Sequence, residues 1–294
     1  MQKNTLQSPI SRKIRIFLRR NYAMLIALPL LVLVFFYACF IEPDLLRTTA
    51  VEFQHEAVAP ALDGVKIVFV SDLHMRSNEQ NKLRELVNQI NQLNPDLILL
   101  GGDFVNGSGD SMAITDLLNE LQQLSAPLGV YAVPGNHEYR RGFDDIYSAF
   151  CNSKIRMLID QNVSLRTANG GAINLIGLDY QINPAHRQNT ERLKKLFSDN
   201  NFNLVFTHTP EDFAYLSSKA HLTLAGHTHG GQVNIPFFGS IINPAFGRNL
   251  NYGIKKSGSK TMFVSGGISS AYQTCRLAML PEIVVITLKS GNKN

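Results

Sequence analysis

The sequence predicts a mixed α/β domain, with two sheets' worth of strands, behind one N-terminal apolar helix. Three observations predict it. From Val65 onward, short apolar runs alternate with stretches of helical periodicity, the pattern of parallel strands joined by crossover helices. Around residue 170 a hairpin signal interrupts that alternation. Tyr22 to Ile41 is a run of twenty residues without a charge, long enough to cross a hydrocarbon core of ~30 Å as a helix.

The N-terminal segments follow from charge and punctuation. Residues 1–21 form a basic tail with Lys3, Arg12, Lys13, Arg15, Arg19 and Arg20 and no acid. Residues 22–41 are read as an uncleaved transmembrane anchor, which Pro29 can kink without breaking. A cleaved signal peptide is the competing reading; the apolar run exceeds a typical h-region of roughly 7–15 residues, and no small-x-small cleavage site follows it. Arg19-Arg20 sits in a poor context for twin-arginine export. The basic tail keeps the N-terminus in the cytoplasm by the positive-inside rule. The expected topology is therefore single-pass, with the domain on the extracytoplasmic side of the membrane. Residues 42–64, with Pro43 and Pro60, read as a linker, and 65–290 as the folded domain.

Within that domain each element has its own signal. Val65 to Val70 reads as a strand. Asn78 to Leu93 places Leu83, Leu86, Val87, Ile90 and Leu93 at helical spacing, and Pro95 stops it. Leu97 to Leu100 is a strand, Met112 to Leu124 an amphipathic helix, Val130 to Val133 a strand and Asp144 to Phe150 a short helix. Asn169-Gly170-Gly171 joins strands at 163–166 and 172–178 as a hairpin. Asn203 to Phe206, Leu222 to Ala225, Gln232 to Ile235, Thr261 to Ser265 and Ile283 to Leu288 read as further strands, with a helix at Glu191 to Phe197.

Composition narrows the function. Of the formal charge of +5 over 294 residues, the first 21 residues hold +6, so the remainder carries −1. A basic face for a nucleic-acid backbone is not supported. Cys39 falls in the apolar segment, which leaves at most one pair from Cys151 and Cys275. The expectation is small buried hydrophobes, with neither a disulfide framework nor a cysteine zinc site.

The chemistry sits at the ends of the predicted strands. Ser71-Asp72-Leu73-His74 follows the first, Gly101-Gly102-Asp103 the second, and Gly135-Asn136-His137-Glu138 the third. His208 follows Asn203 to Phe206, and Gly226-His227-Thr228-His229-Gly230-Gly231 follows Leu222 to Ala225. Five of the eight histidines are in these loops; His55, His186 and His221 are not. Loops at the carboxyl ends of strands converge on a crevice in open α/β sheets. Each residue alone has a structural explanation, such as a turn, a cap or a buried histidine. The ordered series instead suits two divalent metals ~3.5–4 Å apart, which can clamp a phosphoryl group and activate water. Asp103 can bridge, having two oxygens to share. Asp72 and His74, two apart on an extended segment, can face one metal. Asn136 offers a neutral oxygen to the other. Mixed nitrogen and oxygen donors suit manganese, iron or zinc.

This set resembles the calcineurin-like metallophosphoesterases: Asp72-x-His74, Gly102-Asp103, Gly135-Asn136-His137-Glu138, His208 and Gly226-His227-x-His229 match that family's pattern in order. Asn94-Pro95-Asp96-Leu97, Ala126 to Tyr131, Gly226 to Gln232 and Pro281-Glu282 are similar to its membrane-associated bacterial branch. The match covers Val65 to Leu288. The resemblance implies a four-layer α/β/β/α sandwich and two metals, manganese being the first expectation. One metal would take Asp72, His74, Asp103 and His229; the other Asp103, Asn136, His208 and His227. A hydroxide between them would attack phosphorus, with His137 as acid and Glu138 supporting the loop. Gly177-Leu178-Asp179-Tyr180 departs from the branch, lacking its second acid after the aspartate.

The branch includes phosphodiesterases and UDP-2,3-diacylglucosamine pyrophosphatases of lipid A synthesis. With the anchor, this implies a bacterial inner (cytoplasmic) membrane as the location, a lipid-linked or membrane-proximal phosphoester as substrate, the membrane as a partner, and no nucleic acid. Ile235 to Gly239 is a candidate acyl groove. Against the lipid A reading, UDP-sugar lipids are made on the cytoplasmic face, opposite to the expected side of this domain.

Overall fold

The computed structural model describes residues 9–180, 190–235, 238–240, 250–270 and 275–291. In chain order the elements are α1 (Pro9–Phe40), β1 (Arg47–His55), β2 (Lys66–Val70), α2 (Gln80–Gln92), β3 (Leu97–Leu100), α3 (Ile114–Leu121), β4 (Val130–Ala132) and α4 (Asn136–Cys151). There follow β5 (Arg156–Met157), β6 (Gln161–Arg166), β7 (Ala172–Gly177), α5 (Thr190–Lys194), β8 (Phe202–Thr207) and β9 (Leu222–Ala225). The last are β10 (Asn234–Ile235), β11 (Gly239–Ser240), β12 (Gly253–Ser257), β13 (Lys260–Val264) and β14 (Glu282–Ser290).

Two six-stranded sheets run in the orders β1-β14-β2-β3-β4-β5 and β12-β13-β9-β8-β7-β6. β2 to β5 are mutually parallel, as are β7, β8, β9 and β13. The expected hairpin is there, pairing β6 with β7 antiparallel. Successive side chains on a strand face opposite ways, and β2 feeds two cores accordingly. Ile67 and Phe69 join Leu97, Leu99, Leu175, Leu204, Phe206 and Leu224, apolar residues of both sheets, in one cluster. Val68 and Val70 join Leu83, Leu86, Val87 and Ile90 of α2 in another. Burial of each such α2 side chain contributes ~1.5–3 kcal/mol. A third cluster packs Val205, Met262 and Val264 against Leu193 and Phe213.

Several expectations change. Residues 42–64 are not a plain linker, because nine of them form β1, which pairs in parallel with β14 along its whole length. β1 is an edge strand with an intermediate–exposed alternation, and only Phe53 is buried. It therefore lacks the apolar run that marked the other strands. The helix expected at Asp144 starts at Asn136 instead, with Gly142 breaking its regularity at φ 116°. Residues 236 and 237 of the acyl-groove run, and His186, lie outside the described residues.

Among the described residues, one stretch, Arg20–Asp44, which takes in most of α1 and the turn after it, is long and apolar enough by length and composition to cross a bilayer. Its large side chains stand free, with Leu33 and Phe35 each 65% exposed. The last turn of α1 is fastened to the domain. Cys39 is disulfide-bonded to Cys275, so the expectation that Cys39 stays apart is overturned. A separation of 236 residues hides such a pair from sequence reading. Beside it Arg276 N donates to Ala38 O at 2.7 Å, and Met279 N donates to Glu42 Oε1 at 2.7 Å. Cys151 is free and exposed.

Candidate metal centre

The loops after β2, β3 and β4 leave one sheet, and those after β8 and β9 leave the other. They meet at the carboxyl ends of both. His208 Nδ1 donates to Gly101 O at 2.8 Å, and His227 N donates to the Asp72 carboxylate at 3.0 and 3.1 Å. Each of these bonds crosses between the sheets.

Among the described residues, nine non-glycine positions have positive φ, and five are expected ligands: Asp72, His74, Asp103, His227 and His229. Such backbone is costly and collects where the surrounding structure over-determines it, often at functional sites. The expectation that Asp72 and His74 lie on an extended segment is therefore corrected: φ is 57° and 40°. The loop curls, pinned where Asp72 N and His74 N donate to Gly102 O and Asp103 O. Both side chains still reach one cluster.

The donor atoms form three overlapping groups: Asp72, His74 and His229; His74, Asp103 and His137; Asp103, His208 and His227. Asp103 joins them. Its Oδ2 lies 3.3 Å from His208 Nε2, 3.5 Å from His74 Nε2 and 3.9 Å from His137 Nε2. Asn136 Oδ1 and His227 Nδ1 stand 3.1 and 3.0 Å from His208 Nε2. All eight residues expected from the sequence are thus brought together.

The ring orientations are set from behind. His229 Nδ1 bonds Ser269 O at 2.9 Å, as His208 Nδ1 bonds Gly101 O, so each turns its Nε2 toward the site. Gly107 N donates to His137 Nδ1 at 2.7 Å, which leaves the His137 proton on Nε2, facing the site. Glu138 supports the loop as expected. Its carboxylate accepts from Gly135 N, Asp103 N and Phe104 N at 2.7 to 2.9 Å. A methyl group at Gly135 would collide with Asp103 Oδ1 and stand 2.6 Å from the Asp103 nitrogen.

The electrostatics ask for a cation. Burial lowers His74 to about 3 despite Asp103, so it is a neutral imidazole. Both its ring nitrogens are fully buried and have no hydrogen-bond partner. Burial and the neighbouring His208 lower His227 to about 3. Burial would also lower His208, but the Asp103 carboxylate outweighs it and pushes His208 up to about 10. One proton on His208 Nε2 cannot satisfy three surrounding acceptors; divalent cations can. The donor set fits such a group, with imidazole nitrogens, carboxylates and an amide oxygen.

The sequence reading passed over the end of β13. Ser265-Gly266-Gly267 follows that strand, and the loop carries Ser269, which orients His229. A glycine pair after a buried strand was the available signal. Gly107 has no sequence signal, and Tyr180, which the sequence shows only where the branch has its second acid, places its ring 5.9 Å from that of His208. Asp179 accepts from the Tyr139 hydroxyl and is occupied in that contact.

The family model for calcineurin-like phosphoesterases matches residues 65–231. The chain belongs to the calcineurin-like phosphoesterase family. It is similar to YkuE, a metallophosphoesterase of Bacillus subtilis, at 30% identity over 87% of this chain and 90% of that one. It is 27% identical to YkoQ of the same organism, over 89% and 98%. A UDP-2,3-diacylglucosamine pyrophosphatase, LpxG of Chlamydia muridarum, is 25% identical over 84% and 85%. This phosphoesterase is accordingly a metal-dependent hydrolase.

Proposed function

We propose that this phosphoesterase hydrolyses a phosphodiester or pyrophosphate bond in a lipid-linked or membrane-proximal substrate. The observation that carries the two-metal reading is the position of Asp103 Oδ2, between His74 and His208. Asp72, His74, Asp103 and His229 would hold one divalent ion, and Asp103, Asn136, His208 and His227 the other, with manganese favoured. Ions held there would polarise a phosphoryl oxygen and lower the pKa of a water molecule. His137 acts as the acid: its Nε2–H is aimed into the site and donates to the leaving oxygen. The Gly107 bond keeps that proton on Nε2.

The substrate reading rests on α1, fastened within a few residues of the loop that orients His229. Its side of the membrane is supported twice. Six basic residues precede the apolar run. The Cys39–Cys275 disulfide suits an oxidising compartment outside the cytoplasm. A second reading is hydrolysis of UDP-2,3-diacylglucosamine, which the likeness to LpxG favours.

The test is hydrolysis of bis-p-nitrophenyl phosphate and p-nitrophenyl phosphate by the full chain, with manganese added or chelated. Manganese-dependent cleavage that prefers the diester, and is lost in Asn136→Ala, supports the reading. Preference for the monoester, or activity that survives chelation, overturns it.

A further inference from the structure

A cavity of about 290 Å³ lies where α1 meets the domain. Cys39 and Phe40 close it on the side of α1, Arg76 and Lys82 near the start of α2, and Ser270 and Arg276 beyond β13. Two acids also line it, Asp44 and Glu79, and both pair with Lys82, at 3.5 and 3.6 Å. Lys82 is thus matched by two carboxylates, and Arg276 faces the buried carboxylates of Asp72, Glu282 and Glu42, which leaves Arg76 as the cation of this lining without a counter-charge among the described residues.

Two buried donors in its wall have no partner. Ser270 is 5% exposed, and its Oγ makes no hydrogen bond. Arg276 is fully buried. Its terminal nitrogens donate to Met279 O, Gly266 O and Ser269 O, but its Nε–H is unsatisfied. The Arg76 guanidinium pairs with no carboxylate among the described residues, although its backbone N–H is taken by Glu79. Buried polar groups are normally satisfied, so orphaned donors beside a cation call for an acceptor. A hydroxyl, a guanidinium N–H and a second guanidinium together suit a phosphate's oxygens.

Position selects the source. Phe40 ends α1 and Ile41 ends the apolar run, so with α1 spanning a bilayer the cavity lies at the depth of the head groups. We propose that this cavity binds the phosphate of an anionic bilayer lipid. The bound head group seats the domain on the membrane with the metal centre beside the lipid surface. The link is short, because Ser269 O accepts from both Arg276 and His229. The inference rests on α1 crossing the membrane, and not on the substrate proposed above.

Binding needs no turnover, so the test is separable from that of hydrolysis. The full chain, purified in a neutral detergent, is offered phosphatidylglycerol, phosphatidylcholine or inorganic phosphate, and retained ligand is measured by native mass spectrometry. One phosphatidylglycerol per chain is expected, with phosphatidylcholine and inorganic phosphate held far more weakly. Arg76→Glu should weaken retention roughly tenfold or more. Ser270→Ala, which removes only a hydroxyl and keeps the fold, should weaken it in the same direction. Equal retention of phosphatidylcholine, or wild-type retention in Ser270→Ala, would overturn the proposal. Inorganic phosphate binding as tightly as the lipid would overturn the assignment to a lipid.

Discussion

Asp103 Oδ2 and His208 Nε2 stand 3.3 Å apart, both residues buried, one on a loop from each sheet. The pair ties the two halves of the site together. Asp103 also holds the third loop, since His137 N donates to its Oδ1 at 2.9 Å. Asp103→Asn keeps the shape and removes the charge that two cations would share. Activity on a diester is expected to fall by roughly 10²–10³-fold or more. Steady-state kinetics at saturating manganese check this, and near-wild-type turnover would contradict it.

His137 is expected to matter according to the leaving group. His137→Ala should cost roughly 10²–10⁴-fold on a substrate with an alkoxide leaving group. The loss should be much smaller for p-nitrophenolate, which needs little protonation. Metal content should not change. Equal losses for both leaving groups would mean that His137 acts on the loop and not on the leaving oxygen.

Chelation should lower thermal stability, because the ions bind the folded site alone. Metal at one hundred times its dissociation constant adds ~2.7 kcal/mol. For a chain of this size that corresponds to a melting shift of roughly 5–10 °C. Scanning calorimetry with and without chelator measures it.

Alkylation of the unreduced, unfolded chain should label one thiol, Cys151. Reduction first should expose all three. Cys39→Ser is expected to destabilise the junction by ~2–5 kcal/mol. Three labels without reductant would show that Cys39 and Cys275 are not bonded.

Acid should destabilise the protein through His221, away from the metal centre. Burial and the neighbouring His55 lower His221 to about 4, and its Nδ1 accepts from Asn203 N at 2.9 Å. The unfolded value is 6.5. The neutral folded form therefore contributes stability that is complete above pH 6.5 and is lost as pH falls toward 4. His221→Asn should flatten the fall of melting temperature between pH 7 and 5.

Much of this molecule is legible in its sequence. Leu222 to Ala225 and Leu97 to Leu100 are strands buried on both faces, so they read as unbroken apolar runs. The turns after them need glycine and polar residues, which puts Asp103 and His227 in view. What escaped has a physical reason. β1 faces solvent on one side and carries only one buried residue. Its order depends on β14, over two hundred residues away. The disulfide depends on the same long-range closure. The left-handed backbone at Asp72 and His74 carries no glycine to announce it.

The central claim is that the chain binds two divalent ions through Asp103. The most direct measurement is metal content per chain, by plasma mass spectrometry of the full protein loaded with manganese and desalted, for wild type and Asp103→Asn. Two ions in the wild type and fewer than one in the variant are the result expected here. A wild type that holds no metal, or a variant that still holds two, would contradict the account.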